Sequence, residues 1–253
     1  MRLPPKKKGK GKKPYIKYHE FELLVNALPE PISTMVFVCV LAALRVSELI
    51  GLKWDDIGPD FIMVDERYCR GDWSQPKTEA SCAPVAVAPR VIERILALKD
   101  KSVTINWGKG EAKKTIKLVR SDGPGDLVFT SLRTGVPMSD HNMLSRYLRP
   151  IAKKLGLGRV NWQVLRRSYP TWMVANKADP KSVQAQMRHA SLGPTLGIYA
   201  QVVSEAQRAS VDTLMADMDR ESMQSKTTNL VPIESELEHE LEHKGQDALS
   251  EAS

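Results

Sequence analysis

The feature that most constrains the fold is an almost uninterrupted apolar stretch, MVFVCVLAAL, from Met35 to Leu44. A membrane span takes about 20 apolar residues, so this shorter run predicts a helix buried in a protein core. We expect this central helix to run from about Ser33 to Leu44, with the other elements packed around it. Arg45 follows directly, and the helix would deliver its charged side chain from the core into a cleft.

Composition and charge limit the class of protein. The chain of 253 residues is 42% hydrophobic and 26% charged, which is ordinary for a soluble globular protein. Its formal net charge of +7 favours a polyanionic partner such as DNA. The basic N-terminus has no apolar core beside it, so neither a secretory signal nor membrane insertion is predicted. The three cysteines have no metal-type spacing, which indicates reduced thiols in a cytoplasmic protein.

Two periodicities alternate along the chain and set the fold class. Helical spacing of apolar residues predicts further helices over about 18–28, 91–98, 139–155, 164–175, 180–189, 195–201 and 202–218. Residues 54–88 alternate as strands do and predict a small antiparallel sheet, and residues 101–126 predict an inserted hairpin. The expected fold is therefore α+β, mainly α-helical, with a small antiparallel β-sheet.

Residues 163–199 contain the side chains best suited to chemistry. An arginine such as Arg166 can hold two phosphate oxygens with its fork of N–H groups. The imidazole of His189 can hydrogen-bond a third oxygen, and the hydroxyl of Tyr199 can attack phosphorus. Together these groups predict a phosphodiester-cleaving site that uses neither a metal nor a cofactor.

Four motifs in this order resemble those of the tyrosine recombinases, the phage-integrase family of site-specific DNA recombinases. The family's Leu-Arg-x-Ser-Glu-Leu is intact at residues 44–49, and its His-x-x-Arg is occupied by residues 163–166. Its Leu-Gly-His corresponds to Met187, Arg188 and His189 at residues 187–189, and Tyr199 follows ten positions after His189. Residues 76–78, Pro-Lys-Thr, precede an alternating segment and look like the family's lysine on a β-turn.

The resemblance implies a helical catalytic domain of the DNA breaking-rejoining type over residues 18–222. A basic disordered tail, residues 1–17, would precede it, and an acidic disordered tail, residues 223–253, would follow it. The implied activity is that of a recombinase or integrase that cleaves and rejoins double-stranded DNA through a 3′-phosphotyrosyl intermediate, as a homo-tetramer on DNA. A helical core-binding domain precedes the catalytic domain in full-length members, and we expect this sequence to lack it. The implied catalytic residues are Arg45, Lys77, Gln163, Arg166, His189 and Tyr199.

Several departures from the family pattern put the activity in question. Gln163 stands where the family has a histidine, and an amide cannot act as a general base, so the chemistry should slow by about 100-fold or more. Pro170 removes a hydrogen bond from the helix of Arg166, at about 3 kcal/mol, and could displace that arginine. Ala43 replaces a usual glycine and costs about 1 kcal/mol if the bend there needs positive φ.

Other functions and roles remain open at this stage. One alternative is a catalytically impaired DNA-binding remnant. Another is an enzyme that cleaves and reseals one strand only and so relaxes supercoils, like a type IB topoisomerase. Glu48 either holds Arg45 in place or is an exposed helix acid, and Arg167 is either a structural or a phosphate-contacting cation. Residues 239–243 match the HExxH zinc-protease pattern, but a third ligand and a folded domain are not visible around them.

Overall fold

The central element is a buried helix, α2, which spans Ile32–Leu41. The computed structural model describes residues 13–75, 81–107 and 112–228. Every residue of α2 except Phe37 is buried, and α1 (Tyr18–Ala27), α4 (Pro89–Leu96) and α7 (Trp162–Ala175) pack against it. The predicted central helix is confirmed, because its apolar side chains are covered on all sides by these neighbours.

A bend after α2 sets the position of Arg45. The helix ends three residues before the predicted Leu44, because Ala43 adopts a left-handed φ of 50°. Such a φ costs a non-glycine residue roughly 1 kcal/mol, which confirms the strain expected of Ala43. Arg45 is extended, with φ −70° and ψ 147°, and is the N-cap of the next helix, α3 (Val46–Gly51). The prediction that Arg45 ends the apolar helix is therefore wrong, because the bend starts a new helix at this residue.

The strands of the described residues are short and pair in antiparallel twos. One small sheet was expected over residues 54–88, but two separate antiparallel pairs lie there, a hairpin and a pair whose strands flank that hairpin in sequence, because each strand ends after two or three residues. The inserted hairpin expected over residues 101–126 is confirmed, with residues 108–111 outside the described part. The pairs are β1 (Phe61–Ile62) with β4 (Val85–Ala86), β2 (Arg67–Cys69) with β3 (Asp72–Ser74), and β5 (Ser102–Asn106) with β6 (Lys113–Lys117).

The helical stretch expected over residues 139–155 is confirmed. It consists of α5 (Asp140–Met143), a π-helical turn (Leu144–Leu148) and α6 (Arg149–Lys154). The hydroxyl of Ser139 accepts a hydrogen bond from the backbone N–H of Asn142 and caps the stretch.

The C-terminal helices include one long element where two were predicted. α7 begins after Asn161, whose side chain caps it, and α8 spans Pro180–Met187. α9 spans Gly193–Thr228, so the helices expected over 195–201 and 202–218 are a single helix. The physical reason is that neither glycine nor proline interrupts the sequence after Gly197. The chain divides into two compact units after Val202.

Residues 13–17 are packed against α7, although they were expected to belong to a disordered tail. The backbone N–H of Ile16 donates to Ser168 Oγ at 3.0 Å, and its carbonyl accepts from Trp172 Nε1 at 3.0 Å. Arg167 Nη1 donates to the carbonyl of Pro14 at 3.0 Å. Ile16 is buried, so this segment is part of the fold. Residues 223–228 were expected to begin the acidic disordered tail, but they form the end of α9. The other parts of the two predicted tails, residues 1–12 and 229–253 with the HExxH pattern, lie outside the described residues.

Across the described ranges, no helix has both the length and the apolar character needed to cross a membrane.

Candidate active site

The site is organised around the carboxylate of Glu48, which lies in the first turn of α3 and is 1% exposed. Its Oε1 accepts from Arg45 Nη1 at 2.6 Å, and its Oε2 accepts the backbone N–H of Arg45 at 2.7 Å. Arg188 Nη2 also donates to Oε2, and Arg166 Nη1 lies 3.9 Å from the same atom. Glu48 therefore holds Arg45 in place, and its interpretation as an exposed acid is wrong.

The surrounding guanidinium groups keep Glu48 ionised. Burial by itself would raise the pKa of this carboxyl. The positive charges of Arg188 and Arg166, together with the hydrogen bonds from Arg45, outweigh burial and hold the pKa below its ordinary value. One negative charge thus faces three positive ones, so the cluster carries excess positive charge suited to a phosphate.

Arg45 and Arg166 line a cavity of about 450 Å³, together with Gln163 and His189. We call this cavity the arginine pocket. Arg166 Nη2 donates to the backbone carbonyl of Met187 at 2.7 Å. Burial, and next the charge of Arg45, lower the pKa of Arg166 to about 10, so the group is still charged at neutral pH.

Pro170 lies inside α7 without ending it. Proline has no N–H for the carbonyl of Arg166, one turn earlier. The hydroxyls of Ser168 and Thr171 donate to the carbonyls of Val164 and Arg167 at 2.9 and 2.8 Å. Arg166 reaches the arginine pocket from a helix that contains this proline.

His189 follows α8 and is oriented by a threonine that the motif analysis missed. Its Nδ1 lies 3.0 Å from the hydroxyl of Thr195, which is fully buried. Burial, and then the charges of Arg166, Arg45 and Arg188, lower the pKa of His189 to about 4, so the imidazole is neutral at pH 7. When the threonine hydroxyl donates to Nδ1, the hydrogen lies on Nε2, which can then donate to a phosphate oxygen. A hydroxyl six positions after a site histidine was the available sequence signal.

Tyr199 lies on α9 next to the arginine pocket, but its hydroxyl does not line the pocket. The hydroxyl donates a hydrogen bond to the carbonyl of Ala178. The ring packs against a small apolar cluster that includes Ala43 and Val183. Burial and then the carboxylate of Asp179 raise the pKa of the phenol. The structure therefore gathers two arginines, the glutamine and the histidine in one pocket and leaves the phenol at its side.

Arg188 was quoted in a motif but was not expected to belong to the site. It caps the C-terminal end of α8 with a left-handed φ of 50°, where the family motif has glycine. Its side chain is 1% exposed, and its Nε and Nη1 atoms have no hydrogen-bond partner within the described part of the chain. An arginine in place of a glycine, directly before the site histidine, was the signal that could have identified it.

Two other cations, Lys77 and Arg167, were considered as site residues. Lys77 lies outside the described residues. Arg167 lines the arginine pocket and binds the carbonyl of Pro14, so it has at least the structural role that was considered for it. Within the described ranges, no three of the His, Cys, Asp and Glu side chains converge on a point where they could hold a metal ion.

Comparison with solved structures defines the class of fold as that of the tyrosine-recombinase catalytic domain. The Tn1549 transposon integrase, in complex with a circular intermediate DNA, superimposes with a TM-score of 0.58 at 17% identity, over 83% of this chain and 68% of that one. The XerA recombinase superimposes with a TM-score of 0.55 at 20% identity, over 82% and 66% of the two chains.

The sequence model of the Phage integrase family matches residues 15–206, and the chain belongs to this family. It is also similar to a tyrosine recombinase XerC-like protein of Caldanaerobacter subterraneus subsp. tengcongensis, with 24% identity over 188 residues. That alignment covers 68% of this chain and 46% of the relative, so the chain spans about half the length of that relative.

Proposed function

We propose that this chain is a site-specific DNA recombinase or integrase that cleaves and rejoins double-stranded DNA through a 3′-phosphotyrosyl intermediate. The observation that carries the proposal is the convergence of Arg45, Arg166 and His189 on one pocket from three separate parts of the sequence. Two guanidinium groups and a neutral imidazole donor match the non-bridging oxygens of one phosphodiester.

The pocket residues divide the chemistry among them. Arg45 and Arg166 bind the scissile phosphate and neutralise the charge that grows on its oxygens, an effect worth about 3 to 4 kcal/mol for a single donor. His189 donates a third hydrogen bond through Nε2. Tyr199 releases its phenolic proton to water, a step eased by the positive charge of the two arginines, and attacks phosphorus. The bond to the 5′ oxygen breaks, and Lys77 gives that oxygen a proton. A second strand's 5′ hydroxyl then reverses the step, without ATP or a metal.

Tyr199 has to change its contacts before it can attack. Its hydroxyl now donates to the carbonyl of Ala178, while the adjacent Gly197 and Ile198 line the arginine pocket. A rotation of the side chain past these neighbours brings the phenol to the phosphate of its own subunit. Gln163 lines the same pocket and can orient the phosphate or the phenol, but it cannot take the proton.

The assembly proposed is a homo-tetramer on DNA, the arrangement that the family resemblance implies. The net charge of +7 supports an encounter with the DNA backbone. We place the reaction in the cytoplasm, in keeping with Cys39, Cys69 and Cys82, which are all free thiols.

The test is a search for a covalent protein–DNA adduct. The full chain is incubated with a library of nicked duplexes of random sequence, and DNA that stays attached after denaturation is recovered and sequenced. We expect recovery of a defined sequence with the wild-type protein and none with Tyr199→Phe. Equal recovery with both proteins, or none with either, would refute the proposal. Mixing Tyr199→Phe with Arg45→Ala then shows whether the phenol serves its own subunit, since only attack on a neighbour's phosphate restores cleavage.

A catalytically impaired DNA-binding protein is the second candidate, favoured by Gln163 in the arginine pocket and by the hydrogen bond of Tyr199 to Ala178. It predicts salt-sensitive DNA binding that Tyr199→Phe leaves unchanged, without any adduct. One trapped phosphotyrosine would exclude it. Relaxation of a supercoiled plasmid without recombinant products would instead indicate cleavage and resealing of a single strand.

A further inference from the structure

We propose that Arg188 is a positioning residue of the arginine pocket, which occupies Glu48 and thereby keeps Arg166 directed toward the phosphate. This inference deepens the proposed function and rests on it. Arg188 lines a second cavity, beside the arginine pocket, together with Glu48 and His189. It acts through Glu48, because its own side chain is 1% exposed and its Nη2 donates to that carboxylate.

The hydrogen bonds of Glu48 show what Arg188 does. Oε1 is used by the Arg45 side chain, and Oε2 by the Arg45 backbone N–H and by Arg188 Nη2. A carboxylate oxygen has two lone pairs, so these two bonds use the acceptor capacity of Oε2. Arg166 Nη1 lies 3.9 Å away, too far for a hydrogen bond. Arg166 is therefore near Glu48 without being bound to it.

Removal of Arg188 would open one acceptor position on a buried carboxylate. The guanidinium next to that position is Arg166, which needs to move by less than 1 Å to reach normal hydrogen-bond distance, about 3 Å. A buried charge draws a partner strongly, so the Arg166 side chain would turn toward Glu48. The same movement would strain the hydrogen bond from Arg166 Nη2 to the carbonyl of Met187. The phosphate would then lose one of the two guanidinium groups that bind it.

Two features of Arg188 are locally unfavourable. Its left-handed φ of 50° is the conformation that glycine adopts without strain. Two of its buried nitrogens find no hydrogen-bond partner among the residues that the structure describes, which is unfavourable for a buried donor. Arg188 nevertheless binds Glu48, the carboxylate at the centre of the site. Its presence is therefore better explained by its effect on that site.

The experiment compares Arg188→Gly, Arg188→Lys and a matched control, Arg70→Gly. Arg70 also has a left-handed φ, 53° in the turn between β2 and β3, and is exposed. The control therefore makes the same substitution on the same kind of backbone, with the same change of charge. The probe is the nicked duplex that the wild-type protein recovers from the random library. The measurements are the rate of adduct formation at saturating DNA, the DNA affinity at several salt concentrations, and the unfolding temperature.

We expect Arg188→Gly to slow adduct formation at saturating DNA by roughly 10- to 100-fold, as for a misplaced catalytic group. Its salt slope should fall by no more than about 0.9, the loss of the single phosphate contact of Arg166, and its unfolding should remain one cooperative transition. Arg188→Lys should recover most of the rate, because an ammonium can still bind Oε2. Arg70→Gly should keep the wild-type rate.

Three results would overturn the inference: a wild-type rate in Arg188→Gly, an equally slow Arg188→Lys, or a salt slope lowered by about 1.8 in Arg188→Gly, which adds a direct phosphate contact of Arg188 to that of Arg166. A crystal structure of Arg188→Gly gives a readout that needs no DNA. Arg166 Nη1 should lie within hydrogen-bond distance of Glu48 Oε2, and an unchanged 3.9 Å separation would contradict the inference. If the wild type itself forms no adduct, the proposed function fails, and this distance still decides the role of Arg188.

Discussion

The hydroxyl of Tyr199 donates a hydrogen bond to the backbone carbonyl of Ala178. The residue after that carbonyl is Asp179, whose carboxylate accepts the N–H groups of Lys181 and Ser182 and caps α8. The phenol proposed as the nucleophile is thus held beside a negative charge at a helix start, and this surrounding stabilises its protonated form.

A first prediction concerns the titration of this phenol. Burial and then Asp179 raise the pKa of Tyr199, so tyrosinate should form only above the ordinary value near 10.0. Asp179→Asn should lower that pKa, because it removes the negative charge and keeps a residue that caps helices well. The measurement is the ultraviolet difference titration of each protein against its Tyr199→Phe counterpart. Asp100→Asn, an exposed acid elsewhere, is the control, and equal shifts in both variants would contradict the assignment.

A second prediction concerns Glu48 and stability. Glu48→Gln leaves buried guanidinium charge without its counter-charge and should lower the free energy of unfolding by about 3 to 5 kcal/mol at pH 7. The pKa of Glu48 is lowered in the folded state, so its stabilisation is present above its ordinary pKa of 4.5 and is lost as the pH falls below that. The variant should therefore lose less stability on acidification than the wild type does.

Urea unfolding at pH 7 and at several values below 4.5 measures both effects. The exposed Glu22 provides the matched control, since Glu22→Gln should change the free energy of unfolding by no more than about 0.5 kcal/mol. A wild-type acid response in Glu48→Gln would show that the guanidinium cluster does not hold this carboxyl ionised.

A third prediction concerns Thr195 and the imidazole. Thr195→Val removes the hydroxyl 3.0 Å from His189 Nδ1, so the ring loses the hydrogen bond that orients it. Adduct formation should fall on the order of tenfold, as when other imidazoles lose the partner that orients them. Thr195→Ser should keep the rate. If valine and serine prove equally active, the threonine does not orient the ring.

The protonation of His189 can be measured directly. Because its pKa is lowered to about 4, its imidazole resonances in NMR should titrate near pH 4. The neutral form is favoured in the folded state, so the contribution of His189 to stability is present above the ordinary pKa of 6.5 and declines as the pH falls toward 4. A midpoint near 6.5 would mean that the ring is not surrounded by the arginine charges.

A fourth prediction concerns the segment at residues 13–17. Ser168→Ala removes the acceptor of the Ile16 N–H, and Arg167→Ala removes the donor to the Pro14 carbonyl. Each should weaken the attachment by about 0.5 to 1.5 kcal/mol, seen as faster hydrogen exchange at Ile16. Arg159→Ala, at an exposed site, should leave that exchange unchanged. Unaltered exchange in both contact variants would show that burial of Ile16 alone holds the segment.

Local patterns in the sequence predicted most of the helices. The apolar run identified α2, and Ser139 correctly marked a helix start, because both signals depend on residues close in sequence. The break after α2 and the continuity of α9 were not predicted. The bend at Ala43 opposes the local preference of alanine, and it is retained because the methyl group is buried among Val174, Val183 and Met187. Such tertiary packing leaves no periodic signal.

The sequence predicted which residues form the candidate site better than it predicted how their side chains are arranged. Motif spacing identified Arg45, Gln163, Arg166 and His189, which do meet in one pocket. The motif spacing does not predict the direction of the Tyr199 side chain. That direction depends on whether the hydroxyl binds the carbonyl of Ala178 or enters the arginine pocket. The role of Arg188 was missed because its partner, Glu48, lies 140 positions away in the sequence.

The position of Glu48 makes the packing of three helices depend on one buried negative charge. The groups it meets come from the start of α3, the middle of α7 and the end of α8, so one buried acid joins three helices that are far apart along the chain. If α8 separates from its neighbours, Glu48 loses the positive charge of Arg188, and His189 at the same time loses the side chains that surround its ring. Melting of that one short helix would therefore disrupt the arginine pocket in a single step.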